Sequence, residues 1–175
     1  MFKKTKNDIK SREKVSRHFV FIEVPIDKVA AQVVLWGEAP WWPRDCSMQF
    51  KRLGQGDLGV GMRYHMIMSG PFSRPQEIEV TRIDPHRIVE RTFVGGFLRG
   101  REVVHIGERA NGTRIDYELH YSICGWPGKL FWGLFLKKKF DGGIRAALSA
   151  LKDYATDQDL SPQMPENNVL KDGGE

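Results

Sequence analysis

The sequence predicts an α+β domain. An antiparallel sheet of six to seven strands wraps around one long C-terminal helix, and two short helices follow the first strand. Three observations carry this prediction. Residues 46–123 fall into short alternating segments parted by turn residues. A stripe of apolar residues recurs at steps of four and three from about Lys129 to Tyr154. One strand-like segment and one interrupted helical pattern precede both.

"VSRHFVFIEVP" (15–25) is the first strand. Val20 and Ile22 alternate with Phe19 and Phe21, which reads as cover on both faces, and Pro25 ends the segment. Ile26, Val29, Ala30, Val33 and Val34 then recur at helical spacing, with Asp27 as the expected cap. Gly37 and Pro40 break this helix and leave a second short helical turn, with Trp36, Trp41 and Trp42 in or beside the break.

"CSMQFKRL" (46–53) opens the run of strands, and "LGQGDLG" turns the chain. In "VGMRYHMIM" (60–68), Val60, Met62, Tyr64, Met66 and Met68 share one face. "EIEVTRI" (77–83) and "RIVERTFV" (87–94) flank a tight "DPH" turn. "RGREVVHIGER" (99–109) and "TRIDYELHYSI" (113–123) flank "ANG", and an Asn-Gly pair between alternating strands signals a two-residue hairpin. That hairpin pairs Ala110 with Thr113 and sets Glu102 on the inner face with Ile115, Tyr117, Leu119, Tyr121 and Ile123. A three-residue loop would flip the parity and send His105 and Arg101 inward instead. The closing helix carries Trp132, Leu136, Phe140, Ile144, Leu148 and Leu151 in one stripe.

Charge divides the chain. Residues 1–17 hold seven Lys/Arg against two Asp/Glu, and residues 157–175 hold one Lys against five Asp/Glu. Much of the net charge of +5 is therefore a basic N-terminal arm (1–14), not a nucleic-acid-binding face. The arm lacks the apolar core of a signal peptide, and a polar tail (156–175) is expected to be disordered, leaving one domain at 15–155. Leu130 to Leu136 is about 10 Å of helix, far short of the roughly 20 apolar residues of a membrane span. Cys46 and Cys124 read as separate buried thiols of a reducing, cytoplasmic compartment rather than a disulfide.

In combination, "HFVFIEVPIDKVAAQV", "GVGMRYHMIM", "EVTRIDPHRIVERTF", "NGTRIDYELHY" and "ALSALKDY" give the stretch 15–155 a resemblance to the START/polyketide-cyclase superfamily (SRPBCC). The resemblance implies the helix-grip fold, with a deep cavity for an apolar or amphipathic small molecule between sheet and helix. Its members include lipid carriers, plant hormone receptors, chaperone activators and aromatic polyketide cyclases and dehydratases. They share no universal catalytic signature, so none is carried over.

The sheet wall of the expected cavity is Met62, Tyr64, Met66, Val104, Ile106, Tyr117, Leu119 and Tyr121; the helix wall is Trp132, Leu136 and Phe140. Three functions are open. One is binding or transport of a lipid, polyketide or aromatic molecule. Another is a cyclase- or dehydratase-like enzyme with Glu102 or His105 as acid or base. The third is a lipid-handling factor touching a partner, a second copy or a bilayer through Phe131, Phe135, Lys137, Lys138 and Lys139. The alternative for the inward carboxylate is a structural pair with Arg91 or Arg99. No two-His-one-carboxylate set, P-loop or nucleophile elbow is legible, so neither metal nor cofactor is expected.

Overall fold

The computed structural model describes residues 13–70 and 74–160. β1 (Lys14–Ile22) leads into α1 (Ile26–Val34). Six strands follow: β2 (Met48–Leu53), β3 (Arg63–Met68), β4 (Gln76–Asp84), β5 (Ile88–Gly95), β6 (Leu98–Arg109) and β7 (Gly112–Ile123). The described residues close with a continuous helical run: α2 (Trp126–Phe131), a π turn (Trp132–Leu136) and α3 (Lys137–Leu160). The sheet order is β1-β7-β6-β5-β4-β3-β2, with every pair antiparallel. β1 and β2 are thus opposite edges, and α1 with residues 35–47 must bridge from one edge to the other. Register shifts between Glu77 and Ile78 and between Val80 and Arg82 bend the β4–β5 pair, as bulges do.

Alternation decides which face goes inside. On β7, Thr113, Ile115, Tyr117, Leu119, Tyr121 and Ile123 are buried and their neighbours are half-buried. The helix answers with Trp132, Leu136, Phe140, Ile144, Leu148 and Leu151, all buried. Full burial of each such side chain contributes roughly 1.5–3 kcal/mol, so this stripe holds the helix to the sheet. α3 also ties to the edge strand: Ser16 Oγ donates to Asp141 Oδ1 at 2.8 Å, beside His18 Nε2 at 3.2 Å. Burial opposes the charge on Asp141, but hydrogen bonds from Lys137, Ser16 and His18 outweigh it and keep the carboxyl below its ordinary range.

Several expectations need correction. One helix follows β1, not two; beyond Val34 the chain runs in turns, broken by Gly37 with φ +85°. Pro25, not Asp27, stands at the helix start, and the Pro25 carbonyl accepts from Lys28 and Val29. Asp27 is turned to solvent beside His86. Phe19 (68 % exposed) and Phe21 face outward, so β1 is covered on one face only; the Arg114 guanidinium lies over the Phe19 ring. Val60 precedes β3 and is exposed. Residues 156–160, expected in the tail, continue α3; the rest of the tail and most of the arm lie outside the described residues. Cys46 is buried as expected, but Cys124 is exposed; both are free thiols.

The hairpin turn sits elsewhere than expected. Arg109 pairs with Gly112, so Ala110 and Asn111 form the loop. Gly112 is needed for space: a Cβ there would lie 2.2 Å from the Ile22 carbonyl oxygen. The partner of Glu102 therefore changes from Tyr121 to Leu119, a shift of two residues that keeps its parity. Glu102 points inward, and His105 and Arg101 are exposed on the outer face.

Candidate functional site: an apolar cavity at the head of the long helix

Three chain breaks meet at one end of the sheet. Gly125 with φ +74° turns the chain out of β7, and Pro127 occupies the first turn of α2, where its missing N–H costs nothing. The β5–β6 turn brings Phe97 over the helix, and Arg74 precedes β4. Together Arg74, Phe97, Cys124, Pro127, Gly128, Phe131 and Leu136 enclose a partly open cavity of about 310 Å³. Its wall is aromatic and aliphatic, and Arg74 brings a guanidinium.

Gln76 sets this geometry. It is 1 % exposed, and its Oε1 accepts from Phe97 N (2.9 Å) and Leu98 N (3.0 Å) while its Nε2 donates to the Arg74 carbonyl (2.9 Å). One amide thus fixes both Phe97 and Arg74. Gly96 (φ +98°) allows the approach, since a Cβ there would lie 2.2 Å from Gln76 Oε1. Gln76→Leu leaves two inward N–H groups without acceptors and is expected to cost about 2–4 kcal/mol in urea unfolding. A change under about 0.5 kcal/mol, within the range of ordinary surface substitutions, would show that the amide is not a clamp.

Inward from the cavity, aromatic rings fill the space between sheet and helix. Phe97 meets Trp132 (6.2 Å between centroids), Trp132 meets Tyr121 (5.2 Å) and Phe140 (5.7 Å), and Phe140 meets Tyr117 (6.4 Å). Tyr117 stacks on Trp36 at 5.8 Å and 15°, and Trp36 meets Trp42, which meets Phe50. The expected hollow is therefore a packed column in its deep part, with open space at the helix head.

The sequence-derived wall residues divide accordingly. Tyr64, Met66, Val104, Ile106, Tyr117, Leu119, Tyr121, Trp132 and Phe140 are buried in the core, and Met62 is partly buried against it. Leu136 borders the cavity. Phe131, expected on an outer flank, lines the cavity as well, whereas Phe135 is 60 % exposed. Arg74, Phe97, Cys124, Pro127 and Gly128 escaped sequence reasoning. The breaks "GGF" and "CGWPGK" were visible, but nothing in the sequence shows that they meet.

Within the column lies one buried polar group. Glu102 (1 % exposed) accepts from Arg91 Nη1 at 3.0 Å and from the Tyr117 hydroxyl at 2.9 Å. Complete burial, then the Glu102 charge and hydrogen bond, push the Tyr117 hydroxyl well above its ordinary value, and Arg91 opposes them only in part. The Trp36, Trp41 and Trp132 indole N–H groups have no hydrogen-bond partner among the described residues. Among the described residues no group of three His, Cys, Asp or Glu is placed to hold a metal, and no helix is long and apolar enough to cross a membrane.

A curved antiparallel sheet that grips a terminal helix and leaves an apolar cavity at its head defines a helix-grip protein of the SRPBCC superfamily. The chain belongs to the polyketide cyclase / dehydrase and lipid transport family, whose model matches residues 13–156. No curated protein matches by sequence. Among solved structures, norcoclaurine synthase from Thalictrum flavum, in complex with dopamine and hydroxybenzaldehyde, is similar at TM-score 0.65 and 16 % identity, over 90 % of this chain and 96 % of that one. The Thermus thermophilus protein TTHA0849 aligns at TM-score 0.64 and 16 % identity, over 83 % of this chain and 99 % of that one. The KanY protein aligns at TM-score 0.65 and 14 % identity, over 82 % and 98 %. At such identities the likeness is one of fold.

Proposed function

We propose that the protein binds or carries an amphipathic small molecule, a lipid, polyketide or aromatic compound, in the cavity at the helix head. The observation that carries this reading is the cavity itself. Its volume of about 310 Å³ stands at the lower end of the roughly 300–1,000 Å³ of small-molecule sites. Phe97, Pro127, Phe131 and Leu136 would bury the apolar body, and Arg74 would receive an anionic or carbonyl end. Family membership supports a hydrophobic guest. Binding is favoured over catalysis because Glu102 is 1 % exposed and both its oxygens are already engaged.

Native mass spectrometry of protein from its own host is expected to reveal a co-purifying small molecule. Leu136→Trp fills the cavity and is expected to weaken binding of anilinonaphthalene sulfonate, an aromatic body with an anionic group, at least tenfold. Arg74→Gln should weaken it less, by removing only the charge. Undiminished affinity in Leu136→Trp would mean that the guest sits elsewhere.

A further inference from the structure

The cavity wall and an exposed apolar ridge share one helical segment. Trp126 is 76 % exposed, Leu130 48 %, Leu134 62 % and Phe135 60 %. Trp126, Leu130 and Leu134 stand four residues apart, so they line up along one side of α2 and the π turn. Wider winding at 132–136 keeps Trp132 and Leu136 inward, also four apart, while Leu134 and Phe135 point out. From Cys124 to Asp141 the segment carries Lys129, Lys137, Lys138 and Lys139 against a single acid, Asp141. Asp141 pairs with Lys137, and the Lys139 ammonium donates to the neutral Ser69 carbonyl.

We propose that this ridge docks on an anionic phospholipid bilayer and that the cavity takes its guest from the acyl region there; the second half rests on the cavity being the ligand site. A helix with Trp, Leu and Phe on one side and lysines beside them suits the membrane interface, and an indole such as that of Trp126 sits at the headgroup level. Charge argues against a second copy as the occupant. A two-fold contact would set this basic segment against itself, whereas a negative bilayer complements it. Docking would set the segment that carries the cavity-lining Phe131 and Leu136 on its inner side against the bilayer surface.

Sedimentation with vesicles tests this. The full chain is expected to bind vesicles of phosphatidylcholine with about 30 % phosphatidylserine, the anionic lipid that attracts basic segments, and to bind less at high salt. Pure phosphatidylcholine should retain it weakly. Leu134→Asp with Phe135→Asp is expected to reduce binding at least tenfold. Lys129→Gln with Lys138→Gln should reduce it about 25-fold, about fivefold per charge. Anilinonaphthalene sulfonate, titrated without vesicles, should bind all these variants like the parent, since none of the four residues lines the cavity. Loss of vesicle binding with that titration intact supports the proposal. Vesicle binding without any dye binding would support docking and remove the cavity reading. The proposal is overturned if the parent ignores anionic vesicles. It is equally overturned if both double variants bind as the parent does, or if the parent ignores vesicles and is a dimer that Leu134→Asp with Phe135→Asp makes monomeric.

Discussion

Glu102→Ala is expected to destabilise the protein by about 3–5 kcal/mol, measured as the urea midpoint shift at pH 7. The reason is the partner it abandons. Arg91 is 2 % exposed and pairs with Glu102, so its guanidinium would be left in the core without that carboxylate. The Tyr117 hydroxyl would lose its acceptor as well. Replacing both ions, Arg91→Met with Glu102→Leu, should be far milder, because the two desolvation costs vanish together. If Glu102→Ala alone were nearly neutral, the pair would have to be reached by water, and the closed interior described above would be wrong.

The same cluster sets an alkaline limit. The folded state holds the Tyr117 proton at pH values where the unfolded chain, with an ordinary phenol near 10, has lost it. That stabilisation is complete below about pH 10 and is lost as pH rises towards the raised folded value. Urea midpoints should therefore hold level from pH 8 to about 10 and fall only above that, and Tyr117→Phe should flatten the fall. Equal slopes in the two proteins would show that another group governs it.

Period-two and period-3.6 patterns made most of the fold legible. "TRIDYELHYSI" allows one buried face, and the stripe from Trp132 to Leu151 allows one helix side, because burial enforces each period. Patterns fail where the chain turns. Gly112 looked like half of an Asn-Gly turn, yet its missing side chain makes room for the Ile22 carbonyl at the end of β1, beside the Thr113–Val24 hydrogen bond that joins residues 89 positions apart. Phe19 and Phe21 looked buried because they are apolar, but an edge strand with one covered face leaves them outside. The site was legible only in part for the same reason. Leu136 and Phe131 sit on a readable helix, whereas Phe97, Arg74 and Cys124 come from breaks whose meeting depends on the whole sheet. Sequence could name the wall of the interior but not how far its own rings would fill it.

Trp36→Ala measures that filling. Trp36 is 2 % exposed, stacks on Tyr117 and meets Trp41 and Trp42 edge-on. Its N–H has no partner among the described residues, so truncation breaks no hydrogen bond there and the cost is one of packing. A large aromatic lost from a core costs about 3–5 kcal/mol, here a fall in melting temperature of roughly 10 °C. The void would be lined by rings and would remain dry, ready to take an apolar molecule of the lost shape. Added indole should therefore raise the melting temperature of Trp36→Ala and leave that of the parent unchanged. At ten times its Kd the expected gain is about 1.4 kcal/mol. Rescue would mean that the column is rigid enough to keep an emptied space, so that Trp36 itself occupies the inner part of a larger binding chamber. A full loss of stability without rescue would mean that residues 35–47 collapse inward, and the room for a guest would then be confined to the cavity at the helix head.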